Sequence, residues 1–141
     1  ERIKSGEFDS IIHMASLSLI PVCENKPDYA YMSNTISALN ILKSNLSGAT
    51  FLNFSTSAVY SPASINHDEE DNFDPIDIYG WTKKHTEDLT KFYSRKLNFP
   101  AINIRLANAI GYGETNLKLF GEILFQIEKG SKKIKLVFCW P

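Results

Sequence analysis

The sequence predicts an α/β fold built on a doubly wound parallel sheet, and three observations support that prediction. Short apolar runs typical of buried strands alternate with longer segments of helical periodicity. The order is strand, helix, strand, helix, strand, helix, strand, which gives parallel pairing through right-handed crossovers. At 141 residues, the chain is also the size of one ordinary domain with a single core.

The individual elements follow from the spacing of the apolar residues. The first helix places Met32, Ile36 and Leu39 on one face and follows Pro27, which suits a first helical turn. A polar loop, Ser61 to Asp77, precedes the next helix, and loops of that length are usually functional or mobile. In chain order the predicted elements are a strand at 8–15, a helix at 28–46, a strand at 50–55, a helix at 79–97, a strand at 101–106, a helix at 117–128 and a strand from 134.

The composition is that of a globular protein and disfavours several functions. Hydrophobic residues make up 43% of the sequence, charged residues make up 22%, and the net charge is -1. A nucleic-acid binder needs clustered Lys and Arg, so that class is disfavoured. No apolar run approaches the roughly 20 residues of a membrane span and no signal peptide opens the chain, so we expect a cytoplasmic protein. Cys23 and Cys139 lie far apart without a Cys/His cluster, which predicts reduced structural thiols and no metal site.

Polar and small residues follow three of the predicted strands. These stretches are His13–Ser16, Ser55–Ser57 and Asn108–Gly111. Because the carboxyl ends of parallel strands share one edge of a sheet, we expect the three stretches to meet there, beside the helix that presents Tyr79. The side chain of His13 points into the strand core in this interpretation, as a hydrogen-bonded structural histidine.

Tyr79 and Lys83 lie four residues apart near the start of a predicted helix, so their side chains point the same way. A free tyrosine has a pKa of about 10, but a neighbouring cation favours the phenolate and brings proton transfer within reach at neutral pH. Such a pair could exchange a proton with a substrate as a hydride moves. The alternative interpretation of the same spacing is a core tyrosine next to a solvated lysine.

Five motifs, in order, resemble those of the extended short-chain dehydrogenases, the NAD-dependent epimerase/dehydratase family of nucleotide-sugar enzymes. The resemblance covers residues 8–137, almost the whole chain. The motifs are Asp9-Ser10-Ile11-Ile12-His13-Met14-Ala15-Ser16, Pro27 and Asn34 ahead of Leu39-Asn40-Ile41-Leu42, Phe54-Ser55-Thr56-Ser57-Ala58-Val59-Tyr60, Tyr79-Gly80-Trp81-Thr82-Lys83 with Glu87, and Arg105-Leu106-Ala107-Asn108-Ala109-Ile110-Gly111.

This resemblance implies a catalytic set in a Rossmann-like domain. It implies that Tyr79 is the catalytic acid/base, and that Lys83 lowers the Tyr79 pKa and hydrogen-bonds the nicotinamide ribose. Thr56 matches the Ser or Thr that bonds the reacting sugar oxygen, with Ser57 beside it in the substrate site. The alternative is that Thr56 only terminates a strand.

The resemblance also implies ligand-binding residues and a partner. Ala15 and Ser16 match the stretch that lies along the cofactor, NAD or NADP, and Asn34 matches a motif asparagine at the same site. Asn108 matches the asparagine that meets the nucleotide-sugar phosphates. The alternatives are that Asn34 bridges backbone groups and that Asn108 holds a turn. The family also implies a homodimer through the helices at 28–46 and 79–97.

Two departures from the family pattern refine the prediction. Sugar 4,6-dehydratases carry an acidic residue after the Thr, where this chain has Ser57-Ala58, so dehydration is disfavoured. No Gly-x-x-Gly-x-x-Gly loop, the usual cradle for a dinucleotide pyrophosphate, occurs in the sequence. We therefore expect 1–141 to be a single partial NAD(P)-binding domain that carries the catalytic residues, without the N-terminal glycine-rich unit and most of the C-terminal substrate lobe.

The favoured function is that of the middle portion of a nucleotide-sugar epimerase or a related reductase. Two alternatives belong to other classes. One is a non-catalytic fragment or degenerate family member that acts as an interaction module, and the other is a domain that binds nucleotide-sugars without chemistry.

Overall fold

The computed structural model describes residues 6–44, 46, 48–62, 66–111, 113 and 118–135. The chain forms two compact units, residues 1–107 and residues 108–141. The first unit contains, in order, β1 (Ser10–His13), α1 (Ile20–Asn25), α2 (Pro27–Tyr31), a π-helical turn (Met32–Ile36), α3 (Ser37–Leu42), β2 (Thr50–Thr56), a 3-10 turn (Ser57–Val59), α4 (Ile78–Leu97) and β3 (Ala101–Leu106). The second contains α5 (Leu119–Glu128).

The three described strands form one parallel sheet in the order β1-β2-β3. His13 pairs with Asn53, and Thr56 pairs with Leu106, so β2 and β3 run three residues further than β1. The predicted α/β class with a parallel sheet is therefore confirmed. Since all three strands run the same way, their carboxyl ends lie at one edge of the sheet, where Thr56 ends β2.

The core of the first unit lies between one face of the sheet and helices α3 and α4. Its fully buried members are apolar side chains of α3, the α3–β2 connection, β2 and the α4–β3 connection: Leu42, Leu46, Ala49, Phe51 and Phe99. Leu89 and Tyr93 of α4 pack against this cluster. The opposite face of the sheet exposes Ile12 and Ile102, which are neighbours across β2 in the strand register.

Helix α4 is defined by clear signals at both ends. Asp77 is its N-cap, and the carboxylate accepts a hydrogen bond of 2.7 Å from the Gly80 amide. Asn98 closes the helix in the left-handed conformation, with φ of 53°. Arg95 and Lys96 lie in the last turn, where positive charge complements the helix dipole. The first turn of α4, which carries Tyr79, is thus fixed at a defined position.

Several predicted boundaries were wrong. The helix predicted at 28–46 begins at Pro27, passes through the π-helical turn and ends at Leu42. The sequence interpretation missed α1, and it placed the strand at 8–15 beyond its paired residues, Ser10–His13. The helix predicted from 117 begins at Leu119. Ile134 and Lys135 are not in a strand, and the rest of the strand predicted from 134 lies outside the described residues.

Across the described part of the chain, no helix is long and apolar enough to cross a bilayer. In the same residues, no group of three or more His, Cys, Asp or Glu side chains could hold a metal ion. Cys23 is a free, buried thiol. Cys139 lies outside the described residues.

Candidate active site

The start of α4 packs directly on the turn that follows β2. A Cβ atom placed on Gly80 would lie 2.4 Å from the carbonyl oxygen of Ala58 and 2.9 Å from Cβ of Pro75. Only a residue without a side chain allows this approach, because real Cβ atoms do not come so close to backbone atoms. The close contact brings Tyr79, the residue before Gly80, to the end of β2, where Thr56 lies.

Thr56 and Tyr79 interact at this contact. The Thr56 hydroxyl accepts a hydrogen bond of 3.2 Å from the Ala58 amide and so caps the 3-10 turn, which orients the side chain. Burial raises the pKa of Tyr79, and a hydrogen bond with the Thr56 side chain acts in the opposite direction. The two hydroxyl groups that the sequence analysis assigned to one site are therefore neighbours.

Lys83 lies one turn further along α4 and is 2% exposed. Burial lowers its pKa to about 8, against which the negative charge of Glu87 acts to raise it. No hydrogen bond to another described residue holds its amine. The alternative of a solvated lysine is thus wrong, and a lysine residue that is almost fully buried and has a lowered pKa is unusual enough to suggest a functional role.

One expected effect of Lys83 is not observed. The pKa of Tyr79 is raised rather than lowered, since burial of the phenol outweighs the hydrogen bond with Thr56. The charges that influence Tyr79 are those of Cys23 and Asp77, and Lys83 is not among them. Loss of hydration dominates at this site, so the phenol is neutral at physiological pH.

Asn34 supports the segment that follows β1. Its Oδ1 accepts a hydrogen bond of 2.7 Å from the Leu17 amide, and its Nδ2 donates to the Leu17 carbonyl oxygen at 3.0 Å and to Oγ1 of Thr82 at 2.9 Å. Both amide protons of a side chain that is 1% exposed are thereby used. These bonds favour the alternative in which Asn34 bridges backbone groups and links the segment after β1 to α4. Cofactor binding by Asn34 stays a prediction.

Ala15 and Ser16 occupy the segment that Asn34 anchors at Leu17. Ala15 is exposed and Ser16 is half-buried, so both residues are accessible at the end of β1. The π-helical turn carries Asn34, and such turns occur frequently at functional sites. Its companion Thr35 donates a hydrogen bond of 3.0 Å to the carbonyl oxygen of Thr82, which joins the same turn to α4.

Helix α1, which the sequence interpretation missed, forms a wall next to Tyr79. Glu24 accepts a hydrogen bond of 2.7 Å from the Ile78 amide, and Cys23 lies close enough to influence the Tyr79 pKa. Burial and the charge of Glu24 raise the pKa of Asp77. Pro21 directly after a strand-to-loop segment was the available signal for this helix, since proline is favoured in a first helical turn.

His13 has the buried position that the sequence analysis expected. It is 4% exposed, and its ring is stacked on Phe51 with 5.9 Å between the ring centroids. Burial lowers its pKa, and the charge of Lys83 lowers it further. Its Nε2 atom has no hydrogen-bond partner among the described residues, so the expected hydrogen bonding is not observed at that atom.

The two remaining candidates, Ser57 and Asn108, lie in different units of the chain. Ser57 begins the 3-10 turn directly after Thr56 and is exposed, so its hydroxyl is available at the same edge of the sheet. Asn108 is exposed and belongs to the second unit. Its role at the nucleotide-sugar phosphates stays a prediction.

Comparison with known proteins decides the family. The sequence profile of the NAD dependent epimerase/dehydratase family matches residues 1–137. The chain belongs to this family. Among curated relatives, the spore coat polysaccharide biosynthesis protein SpsK of Bacillus subtilis is 27% identical over 92% of this chain and 44% of its own length. UDP-glucose 4-epimerase of Corynebacterium glutamicum is 29% identical over 100% of this chain and 46% of its own length.

Solved structures support the Rossmann-like fold of this epimerase/dehydratase chain. The dTDP-4-dehydrorhamnose reductase of Yersinia enterocolitica matches with a TM-score of 0.76 and 28% identity over 87% of this chain and 43% of its own. The UDP-glucuronic acid 4-epimerase of Bacillus cereus, solved in complex with NAD, matches with a TM-score of 0.81 and 21% identity over 88% of this chain and 40% of its own. The chain therefore spans less than half the length of these relatives.

Proposed function

We propose that this chain is the catalytic portion of an NAD(P)-dependent nucleotide-sugar epimerase or a related sugar-nucleotide reductase. The observation that supports this proposal most strongly is the contact between Thr56 and Tyr79 at the carboxyl edge of the sheet, with the buried amine of Lys83 one turn away. Relatives named as a UDP-glucose 4-epimerase and a dTDP-4-dehydrorhamnose reductase favour the same two reactions.

In this proposal the two hydroxyl groups act on one oxygen of the sugar. Tyr79 carries the proton that the sugar oxygen gains or loses. Burial raises its pKa, so the phenol holds this proton before a ligand binds. Thr56 holds the same oxygen in place, because its hydroxyl is already oriented by the Ala58 amide. Lys83 supplies a positive charge in a poorly hydrated position, where it acts more strongly than in water.

The residues present fit the nicotinamide end of a dinucleotide. The amine of Lys83 has no hydrogen bond to another described residue, and Ala15 and Ser16 are at least partly exposed. When bound, NAD(P) would supply the acceptor and donor of hydride. We assign Ala15, Ser16, Tyr79 and Lys83 to that end of the cofactor, and Ser57 and Asn108 to the nucleotide-sugar.

Dehydration remains the disfavoured reaction in this proposal. A dehydratase needs a carboxylate beside the Thr to remove a proton from a sugar carbon, and the residues after Thr56 are Ser57 and Ala58. Ser57 can hydrogen-bond a substrate, but its hydroxyl cannot act as a comparable base at neutral pH. The chemistry at this site is therefore limited to hydride transfer coupled to movement of one hydroxyl proton.

Tyr79→Phe in the full-length protein tests the proposal. This change removes the transferable proton and keeps the ring, so turnover should fall by roughly a hundred- to ten-thousand-fold. The dissociation constant for NAD(H), measured by calorimetry, should stay nearly unchanged. Tyr93→Phe is the matched control, because Tyr93 lies on the same helix but packs against the core. Near-normal turnover of Tyr79→Phe with a nucleotide-sugar substrate would remove Tyr79 from the mechanism.

We also propose that the protein forms a homodimer through the helices expected at 28–46 and 79–97. These helices carry large apolar side chains on their outer surface, since Tyr29 and Met32 are each 60% exposed and Trp81 is 39% exposed. An apolar surface on two neighbouring helices suits burial against a second copy.

Sedimentation equilibrium of the full-length protein should show a dimer. Met32→Glu should weaken the dimer, since it would bury an unpaired carboxylate at the interface. Ile127→Glu is a suitable control, because Ile127 is a similarly exposed apolar residue on α5, outside the two helices. A monomer at every concentration, or equal weakening by both variants, would contradict this assignment.

A further inference from the structure

Arg105, near the carboxyl end of β3, is bonded to three separate parts of the first unit. Its Nε donates to Oε1 of Glu87 at 3.1 Å, and its Nη2 donates to Oε2 of Glu87 at 3.0 Å. Its Nη1 donates to the Tyr60 hydroxyl at 2.5 Å and to the Glu69 carbonyl oxygen at 3.0 Å. One guanidinium group thus joins α4, the residue after the 3-10 turn, and the loop that leads to α4.

Aromatic rings enclose the same guanidinium group. Its central carbon lies 4.5 Å from the ring centroid of Phe73 and 5.1 Å from that of Tyr60. Tyr60 and Phe73 also form an antiparallel bridge, next to which the Asp74 amide donates to the Val59 carbonyl oxygen at 3.1 Å. The ring of His67 stacks on Tyr60 with 4.6 Å between the centroids. We call loop residues 66–77 the clamped segment.

The two proposed catalytic hydroxyls lie just outside this arrangement, one before Tyr60 and one after the clamped segment. Thr56 lies four residues before Tyr60, and Tyr79 lies two residues after the end of the clamped segment. Segment 66–77 has no helix or strand apart from its bridge to Tyr60, so its position depends on side-chain contacts. Among the contacts of the described residues, those of Arg105 reach both the beginning and the middle of the connection.

We propose that Arg105 is a positioning residue that holds Tyr60 and the clamped segment against α4 and thereby fixes the spacing between the Thr56 and Tyr79 hydroxyls. The inference rests on the proposed function in assigning those hydroxyls to catalysis. An ion pair with Glu87 alone would stabilise the fold without needing Tyr60 or Glu69. The planar fork of arginine allows all of these bonds together, and a lysine amine has no such geometry.

Hydrogen exchange at the Asp74 amide tests the clamp without any enzyme assay. Tyr60→Phe keeps the ring and the Arg105–Glu87 pair but removes the hydroxyl, so the Asp74 amide should exchange roughly tenfold faster. The Phe51 amide, which donates to the Pro100 carbonyl oxygen in the sheet, should keep its rate. An unchanged Asp74 rate in Tyr60→Phe would overturn the proposal.

Lys91→Gln is the matched control for this measurement. The amine of Lys91 also lies over the Phe73 ring, at 5.4 Å from its centroid, but Lys91 is exposed on α4. Its loss should leave the Asp74 rate unchanged. Arg105→Lys keeps the charge and loses the fork, so it should accelerate exchange at Asp74 at least as much as Tyr60→Phe. If the Asp74 amide exchanged at the native rate in Arg105→Lys, that result would also contradict the clamp.

Turnover of the full-length protein tests the positioning step. Tyr60→Phe should lower turnover per cofactor-binding site by roughly tenfold while the dissociation constant for NAD(H) stays unchanged, because misplaced hydroxyls slow the chemical step. A purely structural role would reduce the number of binding sites and leave turnover per site at the native level, which would overturn the positioning role. Normal turnover of Tyr79→Phe would instead disprove the proposed function and leave the exchange result intact.

Discussion

Lys83 of α4 and Arg105 of β3 are two cations near the same carboxylate, Glu87, but their surroundings differ. The Arg105 side chain is 14% exposed and forms a two-pronged ion pair with Glu87, whose side chain is 0% exposed. Hydrogen bonds with Glu87 raise the pKa of Arg105 above its ordinary value. Lys83 is 2% exposed and has no such ion pair within the part of the chain that the structure describes, and burial lowers its pKa to about 8.

The two cations therefore suit different roles: Arg105 stabilises the fold, and Lys83 is the one proposed to bind a ligand. A buried charge is costly unless it is paired and hydrogen-bonded, and of these two cations it is Arg105 that forms the ion pair with Glu87. Lys83 lies one turn before Glu87 and receives only its longer-range charge. This contrast supports the ligand-binding role proposed above for Lys83.

Glu87→Gln should have the largest effect on this comparison. The substitution keeps the side-chain shape but removes the negative charge that pairs with Arg105, which leaves this half-buried guanidinium group without its counter-ion. We expect the free energy of unfolding of this chain to fall by about 3–5 kcal/mol. Urea denaturation followed by circular dichroism measures the change.

The neighbouring carboxylate provides the control for that experiment. Asp88 forms an ion pair with Lys84 at 2.5 Å, but the Asp88 side chain is 47% exposed. Asp88→Asn should therefore change the free energy of unfolding by less than about 1 kcal/mol. Equal effects of the two substitutions would show that Glu87 is not a buried counter-ion, and the contrast between Lys83 and Arg105 would then lose its explanation.

Much of this architecture can be predicted from the sequence, because the relevant signals are local. The helix predicted at 79–97 is observed at Ile78–Leu97, and the strand predicted at 101–106 is observed at Ala101–Leu106. Alternating strands and helices also predict correctly that the end of β2 and the start of α4 meet. The neighbouring positions of Thr56 and Tyr79 follow from that topology.

The remaining features depend on contacts between distant residues. Asn34 was expected at the cofactor, yet its amide bonds with Leu17, which lies 17 residues earlier, and with Thr82, which lies 48 residues later. Arg105 reaches Tyr60 across 45 residues. No periodicity encodes such bonds. The fall in the Lys83 pKa likewise depends on how much of the amine is buried, which spacing alone does not determine.

Lys83→Met should stabilise the chain at pH 7, in contrast to the loss expected for Glu87→Gln. Met has a similar length and no charge, so the variant avoids the burial that lowers the pKa of the Lys83 amine. We expect a gain of roughly 1–3 kcal/mol in the free energy of unfolding. Urea denaturation of the two proteins in parallel measures it. A loss of stability on this substitution would mean that Lys83 is paired as well as Arg105 is.

The pH dependence of that gain separates a charge effect from a packing effect. The Lys83 pKa is about 8 in the folded chain and 10.5 is its ordinary value, so between these pH values the unfolded chain holds the proton that the folded chain has lost. Native stability from this group therefore rises with pH across the window and is lost as pH falls to about 8. The advantage of Lys83→Met should be greatest below pH 8 and should shrink toward pH 10.5. If the gain in stability were the same at every pH, it would come from packing of the methionine, since packing does not depend on pH.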